Sequence, residues 1–200
     1  MLLVGLTGGL GAGKSTVSRM LEERGAVVLD ADAFARDAVA AGTPGFARVV
    51  ARFGDGIVGL DGELDRAKLA AIVFNDEVSL RDLEAIVHPE VRRMVEEGVS
   101  ENAGRDRVVV LVNPLLIEMG THRDCDVVVV VSTSAQTQLD RVVARGMGLE
   151  DAEARMANQL PLAERATYAD VLLDNDGDIA ALERQVNRLW RDLRARAGTN

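Results

Sequence analysis

The sequence predicts an α/β fold built on a five-stranded parallel sheet, and three observations predict it. Short apolar runs alternate with segments of helical apolar spacing, the pattern of strands joined by right-handed helical crossovers. The glycine-rich stretch Gly8-Gly9-Leu10-Gly11-Ala12-Gly13-Lys14-Ser15-Thr16 lies between the first such run and the first such segment. A mostly helical block, from Ala33 to about Asn102, then interrupts the alternation between the second and third strand candidates.

The first element is the apolar run Leu2-Leu3-Val4-Gly5-Leu6, a strand candidate. The stretch after it satisfies G-x-x-x-x-G-K-[ST], with Gly8 and Gly13 framing and Ser15 last. From Val17 to Glu23 the apolar residues Val17, Met20 and Leu21 have helical spacing. Strand, loop and helix in that order make this a phosphate loop of the P-loop NTPase three-layer type. Glycine has no Cβ to block a tight turn, so successive backbone N–H groups curl round an anion. The helix behind the loop directs its positive end at the same anion. Gly9, Gly11, Ala12, Gly13, Lys14, Ser15 and Thr16 are the expected nucleotide contacts. Lys14 is expected at the β and γ phosphates, and the Ser15 hydroxyl at Mg²⁺. A glycine turn that binds nothing is the competing reading, and the agreement of strand, loop, Lys-Ser and helix argues against it.

Composition bounds the partners. At 200 residues the chain is one domain with an elaboration, and its 48% apolar residues suffice for a sizeable core. The formal net charge of −9 argues against a general binder of nucleic acid or of anionic membrane, so an anionic ligand needs a local positive cluster. The single cysteine, Cys125, excludes an intrachain disulfide and fits a reducing compartment; it is read as a small apolar packing residue. No apolar run approaches the ~20 residues that span a bilayer. The N-terminus lacks the basic start of a signal peptide, so a soluble, cytoplasmic protein is expected.

The remaining elements follow in order. Val27-Val28-Leu29 is the second strand candidate and runs into Asp30-Ala31-Asp32. Ligands of open α/β sheets gather at the carboxyl ends of strands, which puts these acids on the ligand side. Asp32 has two compatible readings, the N-cap of a helix over Ala33 to Ala40 and a catalytic carboxylate. Within the helical block, Phe46 to Phe53 and Arg66 to Phe74 show helical spacing, with turns at Gly54-Asp55-Gly56 and Asp61-Gly62. A longer helix, about Val78 to Val99, contains Pro89, which predicts a break or kink near His88-Pro89. His88 caps or packs there, or faces a substrate covered by the block.

Arg107 to Val112 has the continuous apolar character of a strand buried on both faces, and it runs into Asn113-Pro114-Leu115-Leu116-Ile117-Glu118. Glu118 reads as a surface acid or a site residue. Val127 to Val131 is the fourth strand candidate, followed by a helix with Leu139, Val142 and Val143 inward and Arg141 and Arg145 sharing one face. Gly146-Met147-Gly148 loosens the chain before a helix over Leu149 to Leu160 that ends at Pro161. With Arg155 and Arg165, the segment 146–165 reads as a lid closing over phosphates, or as a solvated helix with ordinary ion pairs. Tyr168 to Leu173 is the fifth strand candidate; Asn175, in the turn after it, meets a nucleotide base or satisfies turn geometry. The last helix, about Ile179 to Arg196, buries Leu182, Val186, Leu189, Trp190 and Leu193, and Ala195 to Asn200 is expected to fray.

Taken together, these motifs resemble the dephospho-CoA kinase family of P-loop kinases over nearly the whole chain, from the first strand to about Gly177. The resemblance rests on Gly5-Leu6-Thr7-Gly8-Gly9 leading into the phosphate loop, on Asp30-Ala31-Asp32 with Arg36, and on His88-Pro89. It rests further on Pro114-Leu115-Leu116-x-Glu118, Asn158-Gln159, and Asp170 with Asn175-x-Gly177. It implies transfer of the γ-phosphoryl group of ATP, with Mg²⁺, to the ribose 3′-hydroxyl of dephospho-CoA. It also implies roles: Asp32 accepts the hydroxyl proton, and Lys14, Mg²⁺ and the lid arginine Arg141 neutralise charge. Asn175 lies on the nucleotide side. Thr7, Asp32, Arg36, His88, Leu115, Leu116 and Glu118 lie on the dephospho-CoA side. Many members of the family are acidic two positions before the Pro-Leu-Leu element, where this chain has Val112. Another small-molecule or nucleotide kinase of the same fold is the alternative. A non-catalytic nucleotide switch is the second alternative; it would need a guanine-reading Asn-Lys-x-Asp, where Asp174-Asn175-Asp176-Gly177 lacks the lysine, and an Asp-x-x-Gly after the third strand, which is absent.

Overall fold

The computed structural model describes residues 1–73 and 75–198. Its chain forms two compact units, Met1–Leu29 with Asn102–Asn200, and Asp30–Glu101.

The first unit is built on a five-stranded parallel sheet of order β2-β3-β1-β4-β5. The strands are β1 (Leu2–Gly8), β2 (Val27–Asp30), β3 (Val108–Val112), β4 (Val127–Ser132) and β5 (Val171–Asp174). The central strand β1 pairs in parallel with β3 (Val4 opposite Val110) and with β4 (Leu6 opposite Val129). Every residue of β1 and β3 is buried, as is β4 up to Val131. That is why these strands read as continuous apolar runs: helices cover both faces of a parallel sheet, and β-branched valines fit its pleat. The fifth strand is shorter than expected, beginning at Val171, because Asp170 is spent on the strand edge: its carboxylate accepts from Val128 N at 2.7 Å.

Around the sheet lie α1 (Lys14–Glu22), α6 (Ala135–Val143), α7 (Leu149–Ala157), α8 (Leu162–Ala166) and α9 (Ile179–Ala197), numbered with the helices of the second unit. Helix α1 buries Val17, Met20 and Leu21, the expected face. Helix α9 starts at the N-cap Asp178, whose carboxylate accepts from Ala181 N at 2.6 Å, and buries Leu182, Val186, Leu189 and Leu193. It extends through Ala197, so the expected fraying from Ala195 is not seen there, and residues 199–200 lie outside the described residues.

Three expectations in this unit are corrected. Helix α6 turns Gln138 and Val142 inward and leaves Val143 exposed; Gln138 is tolerated inside because its Nε2 donates to Thr133 O at 2.8 Å. Helix α6 also ends at Val143, so Arg145 lies beyond it and shares no helical face with Arg141. Helix α7 stops at Ala157, three residues before the expected Leu160.

The second unit is the helical block: α2 (Ala31–Asp37), α3 (Pro44–Phe53), α4 (Arg66–Val73) and α5 (Glu77–Asn102), with a 3₁₀ turn at Asp55–Ile57. Phe74, expected to end the fourth helix, lies outside the described residues. Its core gathers Val39, Val49, Ile57, Leu64, Leu69 and Val73, with Leu80, Leu83, Ile86 and Val87 of α5 packed against them. Helix α5 runs through Pro89 without the expected break. Proline removes one backbone donor from the ladder. The turns before it are held by that core, and Glu90 behind it pairs with Arg48 at 2.6 Å and with Arg93 at 3.2 Å.

Candidate active site

The phosphate loop joins β1 to α1, where the sequence expects it. Gly13 is the N-cap residue of α1 and adopts the left-handed conformation, φ 102° and ψ 22°. A Cβ at Gly13 would meet the Asn175 side-chain amide, so both its dihedral and its surroundings demand glycine. Gly11, at φ 72°, is similarly constrained: a Cβ there would lie 2.7 Å from Gln138 O. No side chain caps α1, and its first turn holds no acidic residue. The first N–H groups of a helix lack the i−4 acceptors of its interior, so this end is electropositive and suited to an anion.

Lys14 folds back over the loop. Its Nζ donates to Gly8 O at 2.8 Å and to Gly9 O at 3.1 Å, which holds an ammonium at the loop that the anion would enter. Ser15 is exposed, with its hydroxyl on the same first turn. Thr16 donates its backbone N–H to Gly13 O at 3.0 Å. Ala12 is fully buried.

Polar groups support the loop from behind: Asn175 and Gln159, which the sequence singled out, and Thr133 and Gln138, which it did not. The Ala12 carbonyl accepts from Asn175 Nδ2 at 2.7 Å and from Thr133 Oγ1 at 3.1 Å. Gln138 fills the space beside Gly9, where a Cβ would lie 2.5 Å from its Oε1. Leu10 N donates to Gln159 Oε1 at 2.8 Å. Thr133, Gln138 and Asn175 are all buried. Asn175 therefore sits behind the loop, with its amide committed to Ala12.

Arg141, on α6, donates from Nη2 to Asn175 O at 2.8 Å. Its Nη1 is buried with no hydrogen-bond partner among the described residues. Asp176 fastens the same region, its carboxylate accepting from Ser134 N at 2.8 Å and from Ser134 Oγ at 3.0 Å. The Ser134 backbone N–H is the main reason the Asp176 carboxyl stays below its usual range.

The segment after β3 divides its expected substrate residues. Leu116 is 0% exposed and belongs to the core; a Cβ at Gly5 would lie 2.6 Å from its Cδ2. Leu115, at 40% exposed, faces solvent. Thr7 is fully buried and donates from Oγ1 to Pro114 O at 3.3 Å, which ties this segment to β1. Glu118 accepts from Arg165 Nη2 at 3.3 Å and from Leu160 N at 3.4 Å. Arg165 is thus folded inward rather than presented as a lid arginine, with its side chain 3% exposed against 22% for Glu118. The structure therefore gives Leu116, Thr7 and Glu118 internal work and leaves Leu115 accessible.

In the helical unit, the N-cap of α2 is Asp30, not Asp32. Asp30 Oδ1 accepts from Asp32 N at 2.9 Å and from Ala33 N at 3.3 Å. The helix starts at Ala31, two residues earlier than expected, so the cap falls on the first acid of Asp-Ala-Asp. Asp32 is exposed in the first turn of α2, with Arg36 exposed on the last turn four residues on. Arg66 Nη2 donates to Arg36 O at 3.4 Å. His88 is exposed on α5, in a groove that also involves Arg81, Glu84 and Arg92.

For a metal, no group of three or more His, Cys, Asp or Glu able to hold one occurs among the described residues. The exposed Ser15 hydroxyl suits an ion that brings most of its oxygen ligands with a nucleotide, as Mg²⁺ does. No helix among the described residues is long and apolar enough to cross a membrane.

Comparison with known proteins agrees with the architecture. The family model described as dephospho-CoA kinase matches residues 2–181. A dephospho-CoA kinase of Streptomyces avermitilis is 52% identical over 198 residues, covering 98% of this chain and 96% of that protein. A solved structure from Thermus thermophilus superposes with a TM-score of 0.80 at 35% identity, covering 96% of this chain and 97% of that one. Shikimate kinase from Acinetobacter baumannii shares the fold alone, with a TM-score of 0.54 at 17% identity over 98% of this chain and 94% of that one. With a phosphate loop of this construction and a family match over nearly its full length, the chain belongs to the dephospho-CoA kinase family.

Proposed function

We propose that this chain transfers the γ-phosphoryl group of ATP to the ribose 3′-hydroxyl of dephospho-CoA, giving CoA and ADP. The observation that carries the reading is the Lys14 ammonium resting on the Gly8 and Gly9 carbonyls, within a glycine loop at the uncapped start of a helix. Triphosphate oxygens are stronger partners than those carbonyls, because hydrogen bonds to an ionised acceptor are about twice as strong as neutral ones. Lys14, positioned by those carbonyls, is thus drawn to the β and γ phosphates on loading. Bound Mg²⁺ supplies charge neutralisation of the phosphate oxygens, and the Ser15 hydroxyl is its protein ligand.

In the reaction the 3′-oxygen forms a bond to the γ-phosphorus as the bond from that phosphorus to the β–γ bridging oxygen breaks, and ADP carries away the electron pair. The hydroxyl proton passes to the Asp32 carboxylate, which is spared capping duty because Asp30 performs it. Arg141, whose Nη1 has no hydrogen-bond partner among the described residues, donates to a phosphate oxygen as charge develops. Arg36 and His88, with Leu115, bind the dephospho-CoA. Thr7, Leu116 and Glu118 act from behind, by holding the segment that carries Leu115, and Asn175 acts by holding the phosphate loop. Cys125, the single thiol, fits the reducing cytoplasm, where we place the reaction. The acidic net charge supports small-molecule substrates over nucleic acid or membrane.

The test is a coupled assay of ADP release with ATP and Mg²⁺, offering dephospho-CoA, nucleoside monophosphates, shikimate and gluconate in turn. Turnover with dephospho-CoA alone is expected. Comparable turnover with another acceptor, or none with dephospho-CoA, overturns the assignment.

A further inference from the structure

The peptide unit between Gly9 and Leu10 is held at both ends. Its carbonyl, Gly9 O, accepts from Lys14 Nζ at 3.1 Å and from Ala12 N at 3.1 Å. Its N–H, on Leu10, donates to Gln159 Oε1 at 2.8 Å. A trans peptide is planar, with its N–H and C=O pointing in opposite directions, so fixing one end aims the other. A hydrogen bond accepted from the N–H also polarises the unit and makes its carbonyl a better acceptor.

Gln159 is itself well anchored. It follows α7, which ends at Ala157, and the next residue, Leu160, donates its N–H to Glu118 Oε1 at 3.4 Å. Glu118 is in turn paired with the buried Arg165 at 3.3 Å. The carboxamide therefore reaches the phosphate loop from a segment that is tied down on its other side.

We propose that Gln159 is a positioning residue for phosphoryl transfer: through the Gly9–Leu10 peptide it sets one of the two carbonyls that hold the Lys14 ammonium. The proposal rests on the reading of Lys14 as the phosphate-binding lysine. Gln159 touches neither reacting atom; it acts by keeping Lys14 poised, so its effect belongs to ATP and to turnover, and not to the acceptor.

The test is Gln159→Met, which keeps the length of the side chain and removes the acceptor. Loss of one such hydrogen bond is expected to lower kcat roughly three- to tenfold and to weaken ATP binding by a similar factor. The KM for dephospho-CoA stays within about twofold, since the bond serves the other substrate. The decisive measurement is a double-mutant cycle on ATP affinity with Lys14→Met, read by calorimetry. Gln159→Met is expected to add little further loss once Lys14 is gone. An equal loss in both backgrounds overturns the proposal, because Gln159 would then act without Lys14. So does a Gln159→Met enzyme with wild-type ATP affinity and kcat. A Lys14→Met protein that binds ATP and turns over normally overturns the phosphate-site reading itself. Leu10 amide exchange, followed by NMR in the folded Gln159→Met protein, is expected to be faster than in the wild type; unchanged protection also overturns the proposal.

Discussion

Asn175 Nδ2 donates to the Ala12 carbonyl at 2.7 Å across 163 residues of sequence, tying the turn after the last strand to the loop after the first. Thr133 Oγ1 reaches the same oxygen at 3.1 Å from the end of β4. A carbonyl has two acceptor sites, and here the loop's sole buried alanine uses both. The phosphate loop is therefore braced by two neighbouring strand ends, and its shape exists before an anion arrives. Such bracing matters because preorganised donors need no rearrangement when charge develops.

From this follows a non-additive pair. Asn175→Ala alone leaves Thr133 on the Ala12 oxygen and is expected to cost about 1–2 kcal/mol of stability. Thr133→Val alone leaves Asn175 and is expected to cost about as much. Together they strand a buried carbonyl, and the double variant is expected to lose more than the sum. Urea denaturation of the four proteins measures this, with ATP affinity falling in parallel. A strictly additive result would show that the two bonds do not share the work.

The two acids of Asp30-Ala31-Asp32 are expected to separate cleanly. Asp30 accepts from the N–H groups of Asp32 and Ala33, so Asp30→Ala removes a helix cap at a cost of about 1 kcal/mol. Asp32→Asn keeps that cap and removes the carboxylate proposed as the proton acceptor. Turnover is expected to fall by a factor on the order of 10² or more, with ATP affinity nearly unchanged. Steady-state kinetics beside thermal melts check both. Near-normal turnover in Asp32→Asn would remove Asp32 from the mechanism.

Leucines 115 and 116 are adjacent and opposite in consequence. Leu116 is fully buried against Gly5 and Cys125's neighbourhood, so Leu116→Ala opens a cavity and is expected to cost about 2–5 kcal/mol. Leu115, 40% exposed, is expected to change stability by no more than about 0.5 kcal/mol when cut to alanine. Its effect is expected instead in the KM for dephospho-CoA, roughly three- to tenfold higher. An unchanged KM in Leu115→Ala would take that side chain out of the substrate site.

Glu118 is expected to act on stability first. Arg165 is nearly sealed, and Glu118 is its ion-pair partner, so Glu118→Ala leaves a buried cation alone. Breaking a fully buried pair costs about 3–5 kcal/mol; with Glu118 itself 22% exposed, about 2–4 kcal/mol is expected. Urea midpoints measure it. A stable Glu118→Ala enzyme with a raised KM for dephospho-CoA would restore the substrate-binding role that the sequence suggested.

What the sequence disclosed and what it withheld divide along one physical line. The strands β1, β3 and β4, the phosphate loop and the inward face of α9 are written in local patterns: apolar runs, glycine spacing, a 3.6-residue period. The supports of the site are not local. Gln159 meets Leu10 across 149 residues, and Arg165 meets Glu118 across 47, and no window of sequence contains both partners. Gln138 is buried on α6, where the apolar spacing names only Leu139, Val142 and Val143, because its amide is satisfied by a carbonyl five residues back. Pro89 looked like a break because propensity weighs one lost bond, whereas the core beneath Leu80, Leu83 and Val87 holds the helix around it. The Asp30 cap differed from the expected one by two residues, which is the ordinary uncertainty of a helix boundary.

Cys125 supplies a pH-dependent prediction. Burial pushes its thiol up to about 12, and the neighbouring carboxylates of Asp124 and Asp126 push the same way. The thiol also donates to Thr121 O at 3.6 Å, which favours the protonated form. An unfolded chain ionises the same thiol near about 8.5. Below that value both states hold the proton and Cys125 makes no contribution to the pH dependence. Above it the unfolded chain releases a proton that the native one keeps, so the unfolded state gains and stability falls as the pH climbs toward about 12. Urea unfolding from about pH 8 to about pH 11 is expected to show a decline that is shallower in Cys125→Ala, whatever the cost of that substitution at neutral pH. Alkylation gives the second readout: at about pH 8 the native thiol is expected to react with iodoacetamide far more slowly than the urea-unfolded thiol, since the thiolate is the nucleophile. Rapid native-state alkylation, or identical slopes for the two proteins, would show that Cys125 is not held protonated by its surroundings.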